Sequence, residues 1–145
     1  MYNKCNVYKG NSGGHMIIDI DFNSDEAIYI QLRNQIVVGI ATAQLSVGDS
    51  LPSVRQLADV IGINMHTVNK AYSVLKQEGF IKLDRRKGAV VAIDYDKCIA
   101  TEQLMRMLQV LLAGAMCKQI SREEVHDMVD QVYDSFSCDH VEKED

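Results

Sequence analysis

Pro52-Ser53-Val54-Arg55-Gln56-Leu57-Ala58-Asp59-Val60-Ile61-Gly62-Ile63-Asn64-Met65-His66-Thr67-Val68-Asn69-Lys70-Ala71-Tyr72 is the stretch that decides the fold. It reads as two short helices joined by a glycine turn. Ser53 with Gln56 three residues on is a capping box, which satisfies backbone N–H groups that a helix start leaves open. Val54, Leu57, Ala58 and Ile61 follow as a buried side. Gly62 stops the helix, because the residue past a helix end often takes the left-handed conformation open to glycine. Asn64 can cap the next helix, on which Val68, Ala71, Tyr72 and Leu75 make one apolar stripe. Ala58, Gly62 and Val68 stand where a helix-turn-helix needs a small residue, a tight turn and an apolar pin. Tyr72 belongs to that core rather than to a base-stacking surface. An ordinary helical hairpin in another core shares this local pattern.

The residues that follow narrow the choice. Gly79 ends the second helix. Phe80-Ile81-Lys82-Leu83-Asp84 and Ala89-Val90-Val91-Ala92-Ile93 are β-prone runs around Arg85-Arg86-Lys87-Gly88, which predicts a hairpin. Three cations and a glycine at the tip suit a wing that reaches phosphates or the minor groove. A merely solvated turn is the alternative.

On the other side, Ile28, Leu32, Ile36, Ile40 and Ala43 predict a first helix over about 26–44, with Ser24-Asp25-Glu26 as cap and acidic first turn. Residues 17–22 alternate as a short strand or arm, with Ile18, Ile20 and Phe22 on one side. Residues 1–15 show no helical or strand period. Gly14-His15-Met16 resembles a vector junction, with Met16 as the natural start; a native flexible tail is the alternative.

Beyond Tyr95 the pattern is helical again. Leu104, Leu108, Leu111 and Ala115 mark a fourth helix; Ser121 with Glu124 opens a fifth, marked by Val125, Met128, Val129, Val132 and Phe136. The expected fold is mostly α with a small β-hairpin: an N-terminal winged helix-turn-helix followed by a two-helix C-terminal dimerisation segment. The expected divisions are a leader at 1–15, the DNA-binding domain at 16–93, the helical segment at 94–137 and an acidic tail at 138–145.

Charge supports this division. The net charge of −5 argues against a nucleic-acid partner only when taken whole. Residues 24–93 carry eight Lys/Arg against six Asp/Glu, whereas residues 94–145 carry five against twelve. A DNA reader needs a local basic surface, not a basic total. Cys5, Cys98, Cys117 and Cys138 form no C-x-x-C pair and suit reduced thiols. No apolar run approaches the roughly 20 residues that span a bilayer, and the start lacks the apolar core of a signal peptide. A cytoplasmic protein with no membrane partner is expected.

Residues 24–93 resemble the N-terminal domain of the GntR family of bacterial regulators. The resemblance rests on Ile28-Tyr29-x-Gln31-Leu32 with Gln35-Ile36, on Gly48-Asp49-x-Leu51-Pro52-Ser53-Val54-Arg55-x-Leu57-Ala58, on Asn64-x-x-Thr67-Val68-x-Lys70-Ala71-Tyr72-x-x-Leu75 and on Glu78-Gly79-Phe80-Ile81. The short two-helix remainder is similar to the YtrA-type branch. Ala27 stands where a proline is usual, and the wing reads Arg86-Lys87-Gly88 instead of Gly-x-Gly. The resemblance implies a transcription regulator, a repressor sooner than an activator, bound to double-stranded DNA. It implies that Arg55 grips DNA and that Asn64, His66, Thr67 and Asn69 meet base edges and phosphates. Asn can read adenine bidentately, and a Thr hydroxyl can bind phosphate or its methyl pack on thymine. Lys70 is an expected phosphate contact, and Arg85, Arg86, Lys87 and Gly88 in the wing are expected DNA contacts. Met65 replaces an arginine found in some relatives, which disfavours strong guanine readout.

A homodimer is expected from the fourth helix, where Leu104, Met105, Met107, Leu108, Val110, Leu111 and Leu112 fall within nine positions. That surface is wider than one neighbouring helix covers. Leu104, Leu108, Leu111, Leu112, Met128 and Val132 are the expected dimer contacts. Two helices leave little room for a drug-sized pocket of about 300–1,000 Å³, so any effector, unidentified from the sequence, is expected at an interface or in a cleft between domains. No phosphate loop, nucleophile motif or H-E-x-x-H pair points to an enzyme or a cofactor. His126, Asp130, Cys138 and His140 make only an irregular metal-ligand set. A winged protein-interaction module is the other alternative.

Overall fold

The computed structural model describes residues 3–9 and 15–138; residues 10–14 and nearly all of the acidic tail fall outside them. In chain order the elements are β1 (Asn3–Lys9), β2 (His15–Ile20), α1 (Ile28–Ala41), α2 (Val54–Ile61), α3 (Met65–Gln77), β3 (Ile81–Asp84), β4 (Gly88–Val91), α4 (Lys97–Cys117) and α5 (Arg122–Cys138). They divide into two compact units, the division falling between Asp94 and Tyr95.

The first unit holds the core. Leu32 and Ile36 of α1, Leu57, Ala58 and Ile61 of α2, Val68, Ala71 and Leu75 of α3, and Ile81 and Val91 of the hairpin are all buried together. These are the stripes that the helical spacing singles out. Tyr72 is buried too, and its hydroxyl donates to the Pro52 carbonyl at 2.7 Å, so it is a core residue with a satisfied polar end.

The turn between α2 and α3 forms as the sequence dictates. Ser53 and Gln56 make both halves of the capping box. Gly62 has φ +78°, and its N–H and that of Ile63 both reach the Ala58 carbonyl. Asn64 then caps α3 by accepting the His66 N–H at 2.8 Å.

The N-terminal side differs from expectation in three respects. First, β1 lies within the segment expected to have no regular structure and pairs antiparallel with β2. A bulge between Cys5 and Val7 shifts the register, which breaks the period of two that would have marked a strand. Second, Met16, Ile18 and Ile20 are buried on β2, but Phe22 lies past the strand and is exposed. Third, α1 starts later and ends earlier than its apolar spacing suggests. Ser24 accepts only the Glu26 N–H in a turn before the helix, Ala27 is the residue at the N-cap, and the first turn carries no acidic residue. Ala43 lies beyond the helix with φ +58°.

The other edge of β2 is closed by α1 side chains. Gln35 accepts the Asp19 N–H at 2.7 Å and donates back to the Asp19 carbonyl. Gln31 accepts the Asp21 N–H at 2.9 Å and donates to the carbonyls of Asp21 and Glu26 at 3.0 and 2.9 Å. One helical turn separates the two glutamines, and one two-residue strand repeat separates their targets. The amides therefore stand in for a neighbouring strand.

Among the described residues, the second unit has no core of its own. Asp96 caps α4 through the Ile99 N–H, and Ser121 with Glu124 forms the expected capping box on α5. No residue of α4 or α5 whose side chain is described is buried; Leu108, Ala115, Val125 and Phe136 are half-buried. The two apolar faces therefore stay largely uncovered within one chain. Among the described residues no helix is long and apolar enough to cross a membrane.

Candidate nucleic-acid interface

α3 presents a polar face opposite its buried stripe. His66, Asn69 and Lys70 are exposed, and Thr67 is half-buried at the first turn. Asn64 is exposed as well, but its side-chain oxygen is engaged in capping the helix. A bidentate adenine contact needs both amide atoms, which leaves Asn69 as the asparagine equipped for one. Arg55, on the first turn of α2, is exposed. The nearby Gln56 is held by the capping box, its Oε1 accepting the Ser53 N–H.

The wing is a three-residue loop between β3 and β4, with Asp84 opposite Gly88 and Arg85, Arg86 and Lys87 at the tip, all exposed. Gly88 takes φ +73°. That left-handed residue, one position past the loop, supplies the turn that the usual glycine pair would provide. Asp84 completes it by accepting the N–H groups of Arg86 at 2.7 Å and Lys87 at 3.0 Å. Sequence reasoning did not single out Asp84, although an Asp before a short polar turn is a recognisable signal for this kind of local bond.

A third backbone segment braces the wing. Gly48 N–H donates to the Val91 carbonyl, Val91 N–H to the Asp49 carbonyl and Leu51 N–H to the Ala89 carbonyl, all at 2.8–2.9 Å. Asp49 is itself buried and accepts the Ser46 N–H. The loop that leads into Pro52 and α2 is thus hydrogen-bonded along β4.

The Asp84 carboxyl lies below the usual carboxylate range, first because it accepts the Arg86 N–H, then the Lys87 N–H, with the charges of Lys87 and Lys82 adding. A depressed carboxyl contributes order to the wing above its unfolded pKa, and loses that contribution as pH falls through its folded value. The Arg86 and Lys87 amide resonances are therefore expected to hold their shifts to below about pH 3.9, where a free Asp is half protonated. Carboxyl titration by NMR reads this directly; an Asp84 midpoint at or above that of a free Asp counts against the turn.

The dimer candidates lie in the other unit. Leu104, Leu111 and Leu112 on α4 and Met128 and Val132 on α5 are exposed, and Leu108 is half-buried. No group of three His, Cys, Asp or Glu able to hold a metal is found among the described residues. Of the four residues in the irregular metal-ligand set, His140 and the Cys138 side chain fall outside the described ones.

Comparison with known proteins agrees with this geometry. Residues 25–91 match the profile of the bacterial regulatory proteins of the gntR family. The chain is 32% identical over 120 residues to the HTH-type transcriptional repressor YtrA of Bacillus subtilis, covering 80% of this chain and 92% of that one. YtrA from Sulfolobus acidocaldarius, a GntR-family transcription factor of known structure, is 41% identical, with TM-score 0.53 over 63% of this chain and 97% of that one. The crystal structure of a transcriptional antiterminator from Listeria monocytogenes superposes with TM-score 0.73 at 26% identity, covering 81% of this chain and 90% of that chain. The chain belongs to the GntR family of bacterial regulatory proteins, as a DNA-binding helix-turn-helix transcription regulator of the YtrA type.

Proposed function

We propose that this regulator is a cytoplasmic repressor that binds an inverted-repeat operator as a homodimer. The observation that carries the reading is the joint exposure of Arg55, the polar face of α3 and the wing cations in one compact unit. In this reading α3 enters the major groove. Asn69, His66 and Thr67 meet base edges. Lys70, Arg85, Arg86 and Lys87 meet phosphates, with the Gly88 backbone close to the strand. The asparagine at the cap, Asn64, offers its amide donors. Repression is supported by the named activity of the Bacillus relative, and dimerisation by the uncovered apolar face of α4. Two-fold symmetry would hold two α3 helices for successive major grooves, about 34 Å apart.

Arg55→Ala tests the site. Its side chain is exposed, so folding should be unaffected. Binding to an operator duplex should weaken by on the order of 1–3 kcal/mol. An electrophoretic shift identical to that of the unmodified protein would remove Arg55 from the interface.

A further inference from the structure

Lys70 is the one cation of α3's exposed middle, and it does not stand alone. Its Nζ lies 4.1 Å from the centroid of the Tyr29 ring, in the first turn of α1. Tyr29 is half-buried, so the ring is fixed by the α1–α3 packing while Lys70 remains exposed. No ion pair of Lys70 occurs among the described residues, and the first turn of α1 carries no carboxylate.

Arg33, one turn along α1, provides the contrast. It sits 5.8 Å from the Phe80 ring centroid but is also ion-paired with Glu78, so its charge is balanced inside the protein. A ring face attracts a cation without neutralising it. An ammonium held this way keeps its whole charge and its N–H donors for an outside anion. A free lysine stem must be ordered on binding, at a cost in side-chain entropy.

We propose that Tyr29 is a positioning residue: its ring holds the Lys70 ammonium beside the recognition helix, charged and ready for a DNA phosphate. The proposal rests on the reading of Lys70 as a phosphate contact, and the test separates the two.

The probe is a mixed-sequence DNA duplex at low salt, so no operator need be known. Affinities and their salt slopes are measured for Lys70→Met, Tyr29→Leu, Tyr29→Phe and the Lys70→Met/Tyr29→Leu double variant. Lys70→Met should lower the salt slope by about 0.9. Tyr29→Leu should weaken binding about two- to fivefold, Tyr29→Phe should restore it, and Tyr29→Leu should add nothing once Lys70 is gone. A purely structural role for Tyr29 would add in full in the double variant, and that overturns the proposal. So does a Tyr29→Leu protein that binds more tightly, which would mean that the ring holds the ammonium back. No change of slope in Lys70→Met removes the phosphate contact itself, and the proposal with it. Should Tyr29→Leu fail to fold, a fluorinated phenylalanine at 29 keeps the shape and weakens the ring's attraction; unchanged affinity there also overturns the proposal.

Discussion

Leu108→Asp combined with Leu111→Asp is expected to yield monomers that bind a half-site weakly and the full operator about 10²–10⁴-fold less tightly, the range set by losing an effectively intramolecular second contact. The two carboxylates would fall in the centre of the apolar face of α4. Leu104, Met105, Met107, Val110 and Leu111 are more than half exposed in the single chain, and no residue of the helix is buried. A patch of this kind is seldom left open on a soluble monomer. A second copy, packing the same helices by two-fold symmetry, would cover it. The DNA-binding unit has a separate core and should melt as before. On α5, Glu123, Glu124, Asp127, Asp130 and Asp134 are all exposed, a surface that phosphate repels. Sedimentation of the unmodified protein as a monomer at micromolar concentration, with full operator affinity, would end the dimer proposal.

The second large effect is on stability. Gln31→Met keeps the length of a buried side chain and removes three hydrogen bonds to the backbone of the arm. The Asp21 N–H and the carbonyls of Asp21 and Glu26 would lose their protein partners. An unsatisfied buried group costs about 1–3 kcal/mol. These groups can regain some water, so a total loss of about 2–4 kcal/mol is expected. Denaturant melts give the number directly. A loss below about 0.5 kcal/mol would mean that the glutamine ladder is dispensable.

Gln31 also marks where the sequence stops being legible. Caps, stripes and the turn at Gly62 are encoded within a few residues of where they act, and the sequence alone predicts α2, α3 and the capping box of α5. The glutamine ladder joins residues 10 and 16 positions apart, and a glutamine in a helix carries no local sign that it is paired with a strand. β1 is hidden for a different reason, since its bulge breaks the alternation. Ser24 and Ala27 show local chemistry misplaced by a few residues: a good capping residue was present, but it capped a turn. In the candidate site, the exposure of Arg55, His66 and Asn69 follows from the helical phase. The Tyr29–Lys70 contact spans two helices, and neither residue predicts the other. Asp84 was legible in principle, because its bonds are to residues two and three positions on.

The hydrogen bonds of residues 48–51 to β4 bear on the thermodynamics of association. Through them the wing and the start of α2 share one backbone ladder, so Arg55 and the wing turn are set relative to each other before any duplex arrives. If Arg55 and the wing meet the duplex as proposed, little backbone freedom remains to be lost there on contact, and the entropic penalty of binding would fall mainly on side chains and on the DNA.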